Sequence, residues 1–153
     1  MGNLNFDNNG NLFPYEVIEI SKYEFEDELI FSGRRAKIYV EFKQLILELR
    51  VTGISFLYVW IDGSFASLKA NPGDMDVVFF IDYKIYNTNE SRLIDLKKNY
   101  SLLDIYFIKS YPKEHSNYFL TNFDKLDWLH FFTKDRHNNK KGILKLVLSH
   151  ETI

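Results

Sequence analysis

Two short apolar runs decide the fold: residues 56–64, Phe-Leu-Tyr-Val-Trp-Ile-Asp-Gly-Ser, and residues 74–81, Asp-Met-Asp-Val-Val-Phe-Phe-Ile. Both are rich in β-branched and aromatic residues, which is typical of buried β-strands. The first run ends in Gly-Ser, and the second opens with two aspartates one residue apart. We therefore expect two strands, at about residues 55–61 and 75–82, with polar residues where one strand ends and the other begins.

The two aspartates of the second run, Asp74 and Asp76, predict a cation site. Side chains two residues apart on a strand point to the same face, so the two carboxylates would lie side by side. Like charges that close repel each other unless a cation lies between them. Carboxylate oxygens suit Mg²⁺, and Mn²⁺ accepts the same donors. The alternative is a pair of ordinary turn aspartates, since they follow Pro72 and Gly73.

Gly63 and Ser64 predict a phosphate-binding turn beside that cation site. Gly63 permits a sharp turn and the close approach of a ligand, and Ser64 offers a hydroxyl and a backbone N–H. If residues 65–69 begin a short helix, its free N–H groups would face an incoming phosphate. A phosphate cradle next to paired carboxylates is what phosphoryl or nucleotidyl transfer requires.

A Gly-Ser pair, a nine-residue spacer and Asp-x-Asp together resemble the signature of the polymerase-β-like nucleotidyltransferase superfamily. The resemblance covers about residues 55–108, roughly a third of the chain. It implies a nucleotidyltransferase-like mixed β-sheet covered by helices, metal binding by Asp74 and Asp76, and contacts from Gly63 and Ser64 to the β- and γ-phosphates of a nucleotide.

The same resemblance implies a third carboxylate on a neighbouring strand. Asp104 stands near the start of the apolar run at residues 102–108 and fits that role. It would share a metal with Asp74 and Asp76 and take the proton of the acceptor hydroxyl. The alternative for Asp104 is a strand cap or an edge charge.

A narrower likeness links the chain to a group of short, stand-alone and poorly characterised prokaryotic proteins. It rests on an opening Phe-Asp-x-x-Gly-x-Leu-x-Pro at residues 6–14 and a closing Lys-Gly-Ile at residues 141–143. This likeness implies a small member of the superfamily but no particular substrate.

The bulk composition indicates one folded domain. The chain has 153 residues, of which 46% are hydrophobic, and its net charge of −2 does not favour nucleic-acid binding. We expect an N-terminal arm at residues 1–33, packed on a nucleotidyltransferase-like domain at residues 34–153. The absence of cysteine excludes disulfides and thiolate metal sites. The sequence has neither the pattern of a signal peptide nor an apolar run near ~20 residues, so we expect a cytoplasmic protein with no membrane partner.

The remaining patterns alternate between helix and strand. Ser21 and Glu24 fit a capping box for a brief helix, and residues 34–50 carry one apolar stripe. We also expect helices at about residues 87–99 and 122–133 and strands at about 15–20, 102–108 and 143–148. Phe123, Leu126, Trp128, Leu129 and Phe132 are the predicted apolar set of the helix at 122–133. The fold class is therefore α/β (α+β).

A basic cluster precedes the last predicted strand: Lys134, Arg136, His137, Lys140, Lys141 and Lys145. It is either a solvated turn or a cationic lip over a triphosphate. In the second case Arg136 and Lys141 would bind phosphate, and the planar guanidinium of Arg136 suits bidentate contact. Arg34 and Arg35 oppose the dipole at the start of their helix, which hints at contacts with an acceptor.

The sequence therefore predicts a Mg²⁺-dependent nucleotidyltransferase that moves a nucleoside monophosphate from an NTP to a hydroxyl of a protein, an RNA or a small molecule. Short chains of this superfamily resemble one half of a toxin–antitoxin or defence pair, with a partner protein or a tRNA as acceptor. The alternative is an inactive nucleotidyltransferase-like binding or antitoxin module. A third possibility is a nucleic-acid-binding domain that uses the basic loop.

Overall fold

The computed structural model describes residues 4–148. Helices and strands follow one another along the chain in a mixed α+β arrangement. In chain order they are β1 (Asn5–Phe6), β2 (Leu12–Phe13), β3 (Val17–Ile20), α1 (Lys22–Leu29), α2 (Gly33–Val51), β4 (Tyr58–Asp62), β5 (Met75–Asp82), α3 (Tyr83–Thr88), α4 (Glu90–Leu96), β6 (Leu103–Ser110), α5 (Tyr118–Phe132) and β7 (Ile143–Leu146).

A five-stranded mixed sheet forms the centre of the molecule, in the order β3-β7-β4-β5-β6. The outer pairs, β3 with β7 and β5 with β6, are parallel, whereas β4 runs antiparallel to both of its neighbours. The two strands that flank the Gly-Ser turn, β4 and β5, are adjacent as expected for consecutive strands. β1 and β2 form a separate antiparallel pair.

The helices cover the two faces of the sheet unequally. Apolar residues of α1, α2 and α4 pack with alternate residues of β4 and β5, such as Val77 and Phe79, in the larger buried cluster. The other face carries Trp60, Val78, Phe80 and Ile143, which pack with Phe132 of α5 in a smaller cluster. Because strand side chains alternate between faces, each strand contributes to both clusters.

The helix predictions are confirmed where one apolar stripe is present. Ser21 and Glu24 form the capping box of α1, and the predicted stripe of α2 is buried along its length. The single helix predicted at residues 87–99 is instead two helices, α3 and α4, which meet at Asn89. The strand β3 lies within the predicted arm of residues 1–33 and joins the main sheet through β7.

The apolar set predicted for α5 is wrong in part. Phe132 is buried, but 65% of Phe123 and 59% of Leu126 are exposed. α5 carries apolar residues around most of its circumference, so periodicity could not identify which side packs on the sheet. Among residues 4–148 no helix has both the length and the apolarity that crossing a bilayer demands.

Candidate functional site

Three aspartates on neighbouring strands form a row across the sheet. Asp62, the last residue of β4, lies opposite Asp76 of β5, and Asp76 lies opposite Asp104 of β6. Because side chains alternate along a strand, the three aspartates lie on the sheet face that α5 covers. Trp60, Val78 and Tyr106 form the next row of side chains on that face. The predicted proximity of Asp76 and Asp104 is confirmed by this register.

Asp74 stands outside the strand. β5 begins at Met75, so the expectation that Asp74 and Asp76 would point the same way by strand alternation does not apply. Asp74 is nevertheless near enough that its charge acts on Asp76. The pair is thus brought together by the turn before the strand.

Gly63 lies directly against Asp76. Its backbone φ of +70° belongs to the left-handed region, which other residues rarely adopt. A Cβ at this position would come within 1.9 Å of Asp76 Oδ2. The turn therefore needs glycine for two reasons, its backbone conformation and the closeness of the carboxylate.

The Gly-Ser turn is a single 3-10 turn, Gly63–Phe65, and the helix predicted at residues 65–69 does not form. Asp62 caps the turn by accepting a hydrogen bond of 2.7 Å from the N–H of Gly63. After the turn the chain returns to the N-terminal arm, where Ser67 and Asn11 form an isolated antiparallel β-bridge. Ser64 follows Gly63 in the turn and is half-buried.

Arg35 organises the segment that follows the turn. It is fully buried and donates to the carbonyl oxygens of five residues: Leu29, Ser64, Phe65, Ser67 and Lys69. Burial lowers the pKa of its guanidinium to about 10. Arg34 likewise donates to the carbonyls of Pro72 and Gly73. The donors of both arginines hold the loop between the Gly-Ser turn and Asp74. Because Arg35 is fully buried, the expectation that it contacts an acceptor is wrong; for the half-buried Arg34 it stays a prediction.

Lys141 lies beneath the turn and not on an exposed lip. Only 3% of it is accessible, and its Nζ donates to the carbonyl of Gly63 and lies 3.7 Å from Asp62 Oδ1. Burial lowers the pKa of Lys141, and burial raises the pKa of Asp62 well above its usual value against the opposing effect of Lys141. Asp62 Oδ2 is buried and has no hydrogen-bond partner among residues 4–148.

Asp76 has the electrostatics of a cation ligand. Burial is the largest cause that raises its pKa, to about 7, followed by the charges of Asp74 and Asp104 and a hydrogen bond with Asp104. Lys141 acts in the opposite direction. Near neutral pH Asp76 is therefore protonated for part of the time, and binding of a divalent cation would displace the proton.

Asp104 is exposed at the edge of the row, where Tyr106 holds its carboxylate. The Tyr106 hydroxyl donates to Asp104 Oδ2 at 2.8 Å, and the Tyr106 ring lies 4.6 Å from that of Trp128 on α5. Burial and the bond to Asp104 raise the pKa of Tyr106. Tyr106 lies within the strand predicted at residues 102–108. Its spacing two residues after Asp104 was the signal that it shares the face of the site.

The part of the chain that the structure describes contains no closed metal cage. Within residues 4–148 no three His, Cys, Asp or Glu side chains are grouped closely enough to enclose a metal ion among themselves. Mg²⁺ is commonly held by one or two carboxylates together with substrate phosphates, and Asp76 with Asp104 fits that open arrangement. Asp62 Oδ2, which has no hydrogen-bond partner among residues 4–148, is a further oxygen that could bind a cation in the same row.

The predicted basic cluster divides into a buried and an exposed part. Arg136 and Lys140 are exposed in the loop before β7, while Lys141 is buried under the turn. Asp135 anchors the loop by accepting from Asn11 Nδ2 at 3.0 Å, and this bond is the largest cause of the lowered pKa of Asp135, about 2.

The two ends of the narrower sequence likeness meet in space. The N–H of Gly142 donates to the carbonyl of Leu12 at 2.8 Å, and a Cβ on Gly142 would come within 2.5 Å of the carbonyl oxygen of Pro14. The N–H of Leu68 donates to the carbonyl of Gly10. The arm thus braces both the segment that carries Lys141 and the loop after the Gly-Ser turn.

Comparison with known proteins gives a family and no function. A search of curated proteins and a search of solved structures both returned no match. A family model described as a family of unknown function, DUF6932, matches residues 4–147. That match spans nearly the whole chain and includes every aspartate of the row, the Gly-Ser turn and Lys141. The chain therefore belongs to the DUF6932 family.

Proposed function

We propose that this chain is a Mg²⁺- or Mn²⁺-dependent nucleotidyltransferase that moves a nucleoside monophosphate from an NTP to a hydroxyl group. The observation that carries the proposal is the row of Asp62, Asp76 and Asp104 on adjacent strands, with Gly63 packed against Asp76 Oδ2. This combination is supported by the likeness of the Gly-Ser and Asp-x-Asp spacing to the polymerase-β-like superfamily. The nucleotidyltransferase-like character of the mixed sheet is part of the same proposal.

In the proposed reaction the acceptor oxygen forms a bond to the α-phosphorus, and the bond from that phosphorus to the bridging oxygen of pyrophosphate breaks. Asp104 is exposed and takes the acceptor's proton, while Tyr106 orients its carboxylate. Asp74 and Asp76 would hold the cation together with Asp104. When bound, the cation would neutralise the developing negative charge on the polyphosphate. Gly63 and Ser64 would hold the β- and γ-phosphates, and the exposed Arg136 would contact the same phosphates.

The acceptor is a protein, an RNA or a small molecule, and a partner protein or a tRNA within a toxin–antitoxin or defence pair belongs to this proposal. A second candidate is an inactive binding or antitoxin module of the same fold. Its support is that Lys141 is already engaged with Gly63 and Asp62. The two candidates differ in whether Asp76 is needed for chemistry.

The test is incubation of the purified chain with each α-labelled NTP, Mg²⁺ and cell lysate, followed by separation of the products. We expect label on one acceptor and none with Asp76→Asn. The matched control is Asp82→Asn, at the other end of the same strand, where the side chain caps α3. Label that persists in Asp76→Asn, or no label with any NTP from the wild-type chain, would refute the enzymatic assignment and favour the binding module.

A further inference from the structure

Lys141 is a buried cation at one end of the aspartate row. It stands two residues before β7, and β7 pairs with β4 on the side away from β5. Across the sheet the charged groups therefore follow in the order Lys141, Asp62, Asp76 and Asp104. Part of the negative charge of the row is already compensated within the fold by this ammonium group.

The fold fixes the position of the Lys141 side chain. The N–H of Lys141 donates to the carbonyl of Thr133 at 2.9 Å, and the N–H of Gly142 donates to that of Leu12 at 2.8 Å. A lysine on the surface keeps its ammonium in water, whereas only 3% of Lys141 is accessible. Lys141 is therefore placed to act on a bound ligand through the groups that it touches rather than by reaching into solvent.

The first of these groups is the carbonyl of Gly63, to which Lys141 Nζ donates a hydrogen bond. A trans peptide bond is planar, so the carbonyl of Gly63 and the N–H of Ser64 point in opposite directions. Because the carbonyl is held toward the buried ammonium, the N–H of Ser64 points away from it. Backbone N–H groups at such turns bind phosphate oxygens. Lys141 therefore sets the direction in which the Gly-Ser turn offers this donor.

The second group is the carboxylate of Asp62. Its Oδ1 lies 3.7 Å from Lys141 Nζ and also accepts the N–H of Gly63 at 2.7 Å. The side chains of Lys141 and Asp62 are 4% and 1% accessible, so water screens their attraction little. The charge of Lys141 also acts on Asp76, whose pKa it lowers against the effects of burial and of two neighbouring carboxylates. A divalent ion bound at the Oδ1 side of Asp62 would have to displace this lysine.

We propose that Lys141 is a built-in cation of the site, which positions the Gly-Ser turn for phosphate and takes the place of a second divalent ion beside Asp62. Sites of the two-metal type hold their ions about 3.5–4 Å apart. In this chain the row binds one divalent ion, through Asp76 and Asp104 with Asp74, and Lys141 neutralises the Asp62 end. The inference rests on the proposed function, since the ion and the polyphosphate belong to that proposal. Lys141 is a positioning residue, because it contacts the turn and Asp62 and not the phosphate.

Mn²⁺ binding tests the inference without requiring turnover. In titrations followed by electron paramagnetic resonance of free Mn²⁺, we expect one tightly bound ion per wild-type chain, which is lost in Asp76→Asn. Lys141→Met should bind Mn²⁺ at least ~5-fold more tightly, because a positive charge near the ion has been removed. The same variant should bind tripolyphosphate, added as its Mn²⁺ complex, at least ~5-fold more weakly in calorimetry, because the turn has lost its donor. A lysine that served only the fold would not shift the two affinities in opposite directions.

Two variants are the controls. Lys141→Arg keeps the charge, and Lys140→Met removes an exposed charge at the neighbouring position. Both should stay within about twofold of the wild-type affinity for each ligand. Two Mn²⁺ ions at the row of the wild-type chain, or weaker Mn²⁺ binding by Lys141→Met, would overturn the inference and leave the proposed reaction standing. The number of ions in the wild-type chain decides the matter even if Lys141→Met does not fold.

Failure of the proposed function would give a different result. Mn²⁺ binding that Asp76→Asn leaves unchanged would show that the ion does not lie at the row, and it would overturn both proposals. One Mn²⁺ ion with the expected responses of Lys141→Met, but no labelled product with any NTP, would refute the reaction and support the positioning role of Lys141.

Discussion

The two faces of the sheet differ in the size of their buried clusters and in how their buried polar groups are paired. Under α1, α2 and α4 the buried cluster is large, and its buried cation, Arg35, donates to five carbonyl oxygens. Under α5 the cluster is small, three aspartates lie in a row, and two buried polar atoms, Trp60 Nε1 and Asp62 Oδ2, have no partner among the described residues. Unsatisfied buried groups and clustered like charges are costly, so their concentration on one face indicates function there and stability on the other.

Loss of Arg35 should produce the largest effect. Arg35→Met removes the donor to five carbonyl oxygens, of which, among residues 4–148, only that of Ser64 keeps a second donor in the Ser67 hydroxyl. Unsatisfied buried acceptors cost ~1–3 kcal/mol each where water cannot reach them. We expect the free energy of unfolding to fall by more than about 3 kcal/mol in urea titrations, with Arg35→Lys intermediate because an ammonium has fewer donors.

The control for Arg35 is Lys37→Met, an exposed lysine on the same helix, which should change stability by less than about 0.5 kcal/mol. Equal stability of Arg35→Met and Lys37→Met would show that the carbonyls find other donors. In that case Arg35 would not be what fixes the conformation of the loop after the Gly-Ser turn.

Removal of Lys141 should come next. Lys141→Met removes the cation beside buried Asp62 and the donor to the carbonyl of Gly63, and a buried acceptor left unsatisfied costs ~1–3 kcal/mol. The loss should grow with pH. The pKa of Asp62 is higher in the folded chain than in the unfolded chain. Above the pKa of the unfolded chain, the unfolded chain has released a proton that the folded chain keeps. The free energy of unfolding therefore falls as the pH rises.

Urea titrations across the acid-to-neutral range measure this dependence, with Lys140→Met, an exposed neighbour, as the control. A loss of stability that is constant with pH would mean that Lys141 acts through packing and its bond to the carbonyl of Gly63. The partnership with Asp62 would then be secondary.

Alanine substitutions at two glycines distinguish the cost of backbone strain from the cost of crowding Asp76. Gly63 and Gly53 both have positive φ, +70° and +77°, but a Cβ on Gly53 meets nothing within 4 Å. Gly53→Ala should cost about 1 kcal/mol of left-handed strain, and Gly63→Ala should cost about 2–4 kcal/mol because Asp76 must also move. Equal losses in thermal unfolding would mean that the carboxylate moves aside freely.

The sequence predicted β4 and β5 because apolar runs of β-branched and aromatic residues are a local pattern. It predicted that Asp76 and Asp104 lie close together, but it did not include Asp62 in the row, and the strand alternation assumed for Asp74 does not apply. The spacing of Gly63 and Asp76 identified the two sides of the turn. The burial of Lys141 could not be predicted, since it depends on the arm packing against residue 142, far away in sequence. The role of Arg35 was also missed, although an arginine at a helix start, where the dipole disfavours it, was the signal.

The outward side of α5 shows a different limit. Periodicity assigned Phe123 and Leu126 to the core because it assumes that every apolar residue on a helix packs within its own chain. A helix that is apolar on both sides contains two such patterns, and only the packing of Phe132 and Trp128 on the sheet separates them.

The smallest expected effect is a gain in stability from Asp76→Asn. The pKa of Asp76 is raised to about 7 in the fold, so the unfolded chain loses its proton first and stability falls between about pH 4 and pH 7. Asparagine removes this penalty. We expect a gain on the order of 1–2 kcal/mol at about pH 8 and none at about pH 4, the full shift being reduced for the exposed part of the side chain.

Asp82→Asn, at the far end of β5, is the control and should show no such pH-dependent gain. An Asp76→Asn chain that is less stable than wild type at every pH would mean that the carboxylate stabilises the fold. That outcome would contradict the contrast between the two faces.

The central claim is that the aspartate row binds a divalent cation, and a crystal grown with Mn²⁺ and a non-hydrolysable NTP analogue tests it most directly. We predict an anomalous peak within about 2.0–2.4 Å of carboxylate oxygens of Asp76 and Asp104, with the polyphosphate against Gly63 and Ser64. A crystal in which Mn²⁺ and the analogue bind elsewhere, and the row keeps only its protons and Lys141, would contradict it.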